Sequence, residues 1–175
     1  FVLSALVLVP HHCLKITQSL KFVILVVLFL VLTVISGSIN PPAEQKYEYF
    51  GLGEKLNLTF GNNTFSMIVR EVKQDSKILV AEKEVTTSGY FLIVKVDVVN
   101  LGSEAVDFKF EKDPQLKDSQ DRRYTLHATS VPQGKLQPSV AKEVSYIFEI
   151  PKDASGLSFI VIDKTDVAKS VDLKR

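Results

Sequence analysis

One histidine, three aspartates and two Asn-x-Thr tripeptides have the types needed for chemistry in this 175-residue chain. Of three histidines only His127 follows residue 40, so a Ser/His/Asp arrangement depends on it. It lies in a loop-like stretch with no Gly-x-Ser-x-Gly before it, and reads as a surface histidine. His11-His12-Cys13 invites a metal, but three adjacent side chains do not converge easily on one ion and no distant partner set exists. Asp113, Asp118 and Asp121 suggest calcium. Their spacing does not match an EF-hand loop, and Arg122 and Arg123 would repel a cation, so they read as a solvated turn. One Met and one His after residue 40 are too few ligands for copper. A Gly-rich phosphate loop is absent as well. The expectation is a non-catalytic protein with no catalytic, cofactor or metal residues and no cofactor. Asn57-Leu58-Thr59 and Asn62-Asn63-Thr64 match the N-glycosylation pattern, making Asn57 and Asn62 possible modification sites.

The elements that must position these residues are organised around Tyr90–Gly102. Tyr90, Leu92, Val94, Val96 and Val98 fall on one apolar face at period two, whereas Lys95 and Asp97 charge the middle of the other. One face meets a core and the other is partly wet, which suits an antiparallel sandwich. Asn100-Leu101-Gly102 ends the strand in residues that tolerate tight-turn angles. Glu104–Phe110 alternates again and predicts the second arm of a hairpin.

Lys55–Phe60 and Thr64–Val72 flank Gly61-Asn62-Asn63 as a further hairpin. Asp75–Ser88 is polar and predicts a connecting loop with a small strand. Leu116–Tyr124 predicts a turn between two short strands, and Val131–Ser139, with Pro132, Gly134 and Pro138, a loop. Lys142–Ile150 is a strand with Val144, Tyr146, Phe148 and Ile150 on one face. Gly156–Asp163 is apolar on both faces and belongs inside a sheet, and Val167, Val171 and Leu173 could form a final edge strand. About seven short strands with little helical periodicity point to an all-β, immunoglobulin-like antiparallel sandwich. The Cys…Trp…Cys core of antibody domains is missing, because the chain has no Trp and one Cys.

Charge is distributed unevenly. Lys15 and Lys21 are the only two of the 21 basic residues before residue 40, and none of the 20 acids lies there. The remainder is close to neutral, so no field points to nucleic acid. Phe22–Ile35 is apolar apart from Thr33 and extends to Ile39, near the lower limit for spanning a bilayer. Two readings compete: an uncleaved signal anchor, or a signal peptide with Ser36-Gly37-Ser38 at its cleavage site. Both keep the basic flank in the cytoplasm and put the rest outside, tethered to the cell membrane or secreted. The chain begins at Phe1 rather than Met. Residues 1–21 are read as a cytoplasmic or extraneous segment, 22–39 as anchor, 40–53 as a stalk linker with Pro41-Pro42, and 54–175 as the sandwich domain.

The ordered pieces resemble a known group. Phe65–Val72, Tyr90–Gly102 with its Asn-x-Gly turn, Leu116–Tyr124, Leu136-Gln137-Pro138, Phe148–Asp153 (FEIPKD) and Gly156–Asp163 follow in the order of the telokin-like, immunoglobulin-like extracellular domains of unknown function in bacteria and archaea. The resemblance covers about residues 52–165. It departs at Asp121-Arg122-Arg123, where that family commonly has a glycine. It implies an exported binding or structural module and brings no catalytic residues. The expected function is therefore a membrane-tethered extracytoplasmic binding module with a protein or cell-envelope partner. The alternatives are a structural accessory of a surface complex and, more distantly, a small exported hydrolase or metal carrier.

Overall fold

The computed structural model describes residues 45–110, 112–130 and 134–174. The apolar run at 22–39 and His11-His12-Cys13 lie outside the described residues. Among the described residues there is no helix long and apolar enough to cross a membrane.

Among the described residues ten strands form two five-stranded sheets. They are β1 (Tyr47–Phe50), β2 (Lys55–Phe60), β3 (Asn63–Val80), β4 (Lys83–Asn100), β5 (Gln115–Lys117), β6 (Arg123–Tyr124), β7 (Leu126–Ser130), β8 (Ala141–Ile150), β9 (Ser158–Ile162) and β10 (Ala168–Asp172). One sheet has the order β2-β3-β4-β8-β7 and the other β1-β10-β9-β5-β6. All pairings are antiparallel except β1 with β10. Period-two alternation builds the core as expected. Leu92, Val94, Val96 and Val98 of β4 lie beside Val144, Tyr146 and Phe148 of β8 and face Leu116, Phe159 and Val161 of the other sheet. Phe159 packs on Tyr146 and Phe148, with ring centroids 5.5 and 6.1 Å apart, and so joins the sheets at their centre. The fold is an all-β sandwich, with β4 central and β9 inside its sheet.

Five local expectations are corrected. Residues 75–88 are not a connecting loop but the far half of the β3–β4 hairpin, closed by Ala81 and Glu82 at φ +47° and +66°. No glycine marks that turn, and the arms carry polar residues on both sides because they run past the core. Lys77 and Glu84 pair across them at 3.2 Å. Glu104–Phe110 is not a hairpin arm, since only Val106 bridges to Leu136. Asn100 redirects the chain: its Nδ2 donates to the carbonyls of Glu104 (2.7 Å) and Leu136 (3.1 Å), and its Oδ1 accepts from Gly102 N–H (2.9 Å). Phe108 and Phe110 then turn inward against Phe65 and Phe60, at 5.2 and 5.1 Å between rings.

The last residues of the expected linker are a strand. β1 pairs with β10 through Tyr47↔Ala168 to Phe50↔Val171, and Glu48 reaches Lys169 Nζ at 2.8 Å. The C-terminal strand is consequently not an edge, because β1 satisfies the backbone groups that an edge would leave open. Finally, the Asp118 side chain is buried, while residues 119–121 at the tip of its turn are exposed as expected.

Candidate functional site

The β4 strand breaks its pairing beyond Phe91. Asp75 pairs with Phe91 but Lys77 pairs with Thr86, so four β4 residues, Thr87 to Tyr90, stand opposite one residue of β3. Gly89 sits at the centre of this bulge. A Cβ there would lie 2.1 Å from the Ile150 carbonyl oxygen, so only glycine lets the two backbones approach. The side of the bulge is held by Thr87, whose Oγ1 accepts from Gly89 N–H at 3.1 Å while its hydroxyl donates to Glu149. On the other side a register shift between Leu126 and Ala128 of β7 sets His127 outward. Its ring centroid is 5.2 Å from that of Phe91, and its Nδ1 is 4.0 Å from Glu149 Oε2. Between them opens a groove of about 790 Å³, completed by Arg123 and Lys152.

The order of groups decides what this groove can do. In nucleophilic hydrolases the imidazole stands between hydroxyl and carboxylate and takes the hydroxyl proton. Here the Glu149 carboxylate stands in the middle, with Thr87 on one oxygen and His127 nearest the other. The imidazole does not touch the threonine, and a carboxylate accepting its proton is a weak activator. The electrostatics instead favour holding an anion. Among the described residues Glu149 is the one acid lining the groove, and its oxygens are shared. Arg123 spends its guanidinium on neutral acceptors, Gln115 Oε1 and Tyr47 Oη, both at 3.2 Å. Lys152 has no ion-pair partner among the described residues.

The aspartates read as a possible calcium set are dispersed. Asp113 is exposed and apart from the others. Asp121 pairs with Lys117 and takes φ +67°, the left-handed conformation a glycine would occupy without strain. Asp118 is buried, and four donors close on it. Its Oδ1 accepts from the N–H groups of Gln120 and Arg122, both at 2.9 Å. Its Oδ2 accepts from Arg122 Nε (2.6 Å) and Tyr124 Oη (2.8 Å), and Arg122 Nη1 reaches on to Asp153 at 2.9 Å. Burial opposes ionisation of Asp118, but Tyr124, Arg122 and the backbone donors outweigh it and hold the carboxyl at about 2. Tyr124 is pushed up to about 12 by burial and by its bond to that carboxylate. The guanidinium thus occupies the place a cation would take. Among the described residues no three His, Cys, Asp or Glu side chains cluster to hold a metal. Asn57 is exposed on β2 and Asn62 is exposed at the β2–β3 turn.

The family model for "Domain of unknown function (DUF4352)" matches residues 54–171. The chain belongs to that family. No curated protein matches it in sequence. Among solved structures, the DUF4352 domain is similar to the secreted protein MPT63 of Mycobacterium tuberculosis, at 9% identity and TM-score 0.56, over 71% of this chain and 96% of that one. It is also similar to an uncharacterized β-sandwich protein of Clostridium difficile 630, at 14% identity and TM-score 0.50, over 76% and 99%. These likenesses concern the fold. β1, with Tyr47 and Tyr49, lies ahead of the family match. Of the groove residues, sequence reasoning singled out His127 alone. The available signal was Gly89 inside a strand pattern, a mark of a bulge or a close backbone approach.

Proposed function

We propose that this chain is a non-catalytic binding module. An immunoglobulin-like sandwich stands outside the cytoplasm, tethered to the membrane through residues 22–39, and the end groove grips an anionic group of a protein or cell-envelope partner. The observation that carries this reading is the charge imbalance of the groove. Arg123 and Lys152 line it and form no salt bridge with an acid among the described residues, while Glu149 is engaged by Thr87. The basic flank and apolar run of the N-terminal segment, together with the description of MPT63 as a secreted protein, support an extracytoplasmic place.

The test is affinity capture from gently solubilised native membranes. The baits are the full-length chain, the same chain with Arg123→Ala and Lys152→Ala, and a version truncated before residue 40. Retention by the full-length and truncated baits, lost in the double variant and weakened by salt, is expected. A partner retained equally by the double variant refutes the groove. A partner lost only on truncation moves the contact to the membrane segment.

A further inference from the structure

A second surface lies on the outer face of the other sheet, and its chemistry differs from that of the groove. Register places Tyr49, Ser170, Ile160 and Gln115 in one row across β1, β10, β9 and β5, with Ser158 beside Lys117 in a neighbouring row. Tyr47 and Tyr49, two apart on β1, project from the same face with their rings 6.0 Å apart and 21° from parallel. Arg123 Nη2 donates to Tyr47 Oη at 3.2 Å and fixes the first ring. The second ring is left out in solvent: Tyr49 is 78% exposed, the most exposed large hydrophobic side chain described. Beside the tyrosines is a recess of about 320 Å³, rimmed by Ser158, Ser119, Lys117 and Asp121, with the buried Ser170 and Ile160 at its base.

Such a recess is at the small end of ligand sites. Its charges are internally matched, because Lys117 pairs with Asp121 and the adjoining Asp118 is neutralised by Arg122. A charged ligand would therefore gain little here. A purely apolar one would leave the serine hydroxyls and the Lys117–Asp121 pair without partners, at a cost. What fits is a neutral ring with one C–H face and a rim of hydroxyls. The C–H face lies on an aromatic side chain, and the rim exchanges hydrogen bonds with hydroxyl, ammonium and carboxylate groups.

We propose that the Tyr47–Tyr49 shelf is a saccharide site that takes one neutral pyranose unit of a glycan, stacked on Tyr49 and hydrogen-bonded by Ser158 and the Lys117–Asp121 pair. It goes beyond the groove reading and does not depend on it. Exposed tyrosines also occur where proteins meet a lipid headgroup region. The polar rim argues against that use, because a ring inserted among lipids would draw Ser158 and the Lys117–Asp121 pair toward the bilayer with it.

The experiment uses the full chain in a detergent without a sugar headgroup, titrated with β-1,4-linked glucose and N-acetylglucosamine hexasaccharides. Tyrosine emission is a direct readout, because the chain has no Trp. At least one hexasaccharide is expected to bind saturably, with an affinity unchanged between about 0.05 and 0.5 M salt. Tyr49→Ala weakens that binding about tenfold or more, on the scale of one lost aromatic stack plus its buried area. Tyr49→Phe stays close to the parent, and Lys152→Ala leaves binding unchanged. Tyr49 is so exposed that its removal leaves the fold intact, which an unchanged melting curve verifies. Absence of binding to both hexasaccharides overturns the proposal, as does a Tyr49→Ala variant that binds like the parent. Binding to phosphatidylglycerol vesicles that depends on Tyr49, with no hexasaccharide bound, assigns the shelf to a lipid surface and overturns it as well.

Discussion

The Tyr146 hydroxyl offers a test of the core in which removing a polar atom should stabilise the protein. Tyr146 is 2% exposed, between Phe110 at 5.6 Å and Phe159 at 5.5 Å. Its oxygen is buried and has no hydrogen-bond partner among the described residues, and burial pushes its ionisation far above the usual tyrosine range. A hydroxyl taken out of water without a partner costs about 1–3 kcal/mol on mutational scales. Tyr146→Phe removes that cost and leaves a void of one heavy atom. At about 24 cal/mol per Å³, a void of about 10–15 Å³ returns only about 0.3 kcal/mol. The net expectation is a gain of about 1–2 kcal/mol. For a domain of this size that raises Tm by roughly 3–8 °C. Thermal and urea melts of parent and variant, followed by circular dichroism, provide the measurement, with an unchanged urea m-value confirming that the unfolded state is not involved. A fall in Tm, or no change, would refute the reasoning and mean that the hydroxyl has a partner inside the sandwich.

Three further outcomes follow from the same geometry. Tyr124→Phe deletes the same atom but lowers Tm, because that hydroxyl donates to the Asp118 carboxylate at 2.8 Å; a rise would remove Asp118 as the hub of its turn. Gly89→Ala destabilises by about 1–3 kcal/mol or more, since its Cβ would meet the Ile150 carbonyl at 2.1 Å, and a variant that melts like the parent would show that the bulge gives way. The Asp118 carboxyl is depressed to about 2 in the fold, so its stabilisation is complete above the unfolded-state value near 4 and is lost as pH falls toward 2, whereas Tyr124, raised to about 12, contributes stability that disappears as pH climbs from about 10 to 12. Melts across pH 2–5 of parent and Asp118→Asn check the acid limb, which the substitution should flatten.

What the sequence made legible were the elements whose pattern serves one purpose. Every second residue is buried over residues 92–100 of β4 and 144–150 of β8, so period two is visible there and the central position follows from it. The failures occur where another interaction controls the backbone. Val106, Phe108 and Phe110 alternate like a strand, yet the Asn100 amide pulls the chain toward Leu136 and the phenylalanines pack as a cluster instead. The hairpin tip at Ala81-Glu82 adopts a turn without turn residues, and its arms lie past the core, so neither signal was present. Asp118 looked like one of several surface acids because its four donors come from side chains and backbone that only the closed turn assembles. Tyr47 and Tyr49 were legible as aromatic, but a four-residue parallel edge strand after a proline-containing stretch reads as linker.

The two surfaces meet at Arg123. It belongs to β6, the edge of one sheet, and it also lines the groove built by the bulge of β4 and the end of β8 in the other. The same guanidinium holds Tyr47 Oη and Gln115 Oε1, two side chains of the shelf face. Neither acceptor carries charge, so the arginine orients the shelf without losing its electrostatic effect on the groove. An Asp or Glu at position 115 would keep the geometry and cancel that effect. The neutral glutamine is what allows one residue to position an aromatic ring on one face and supply positive charge to the other.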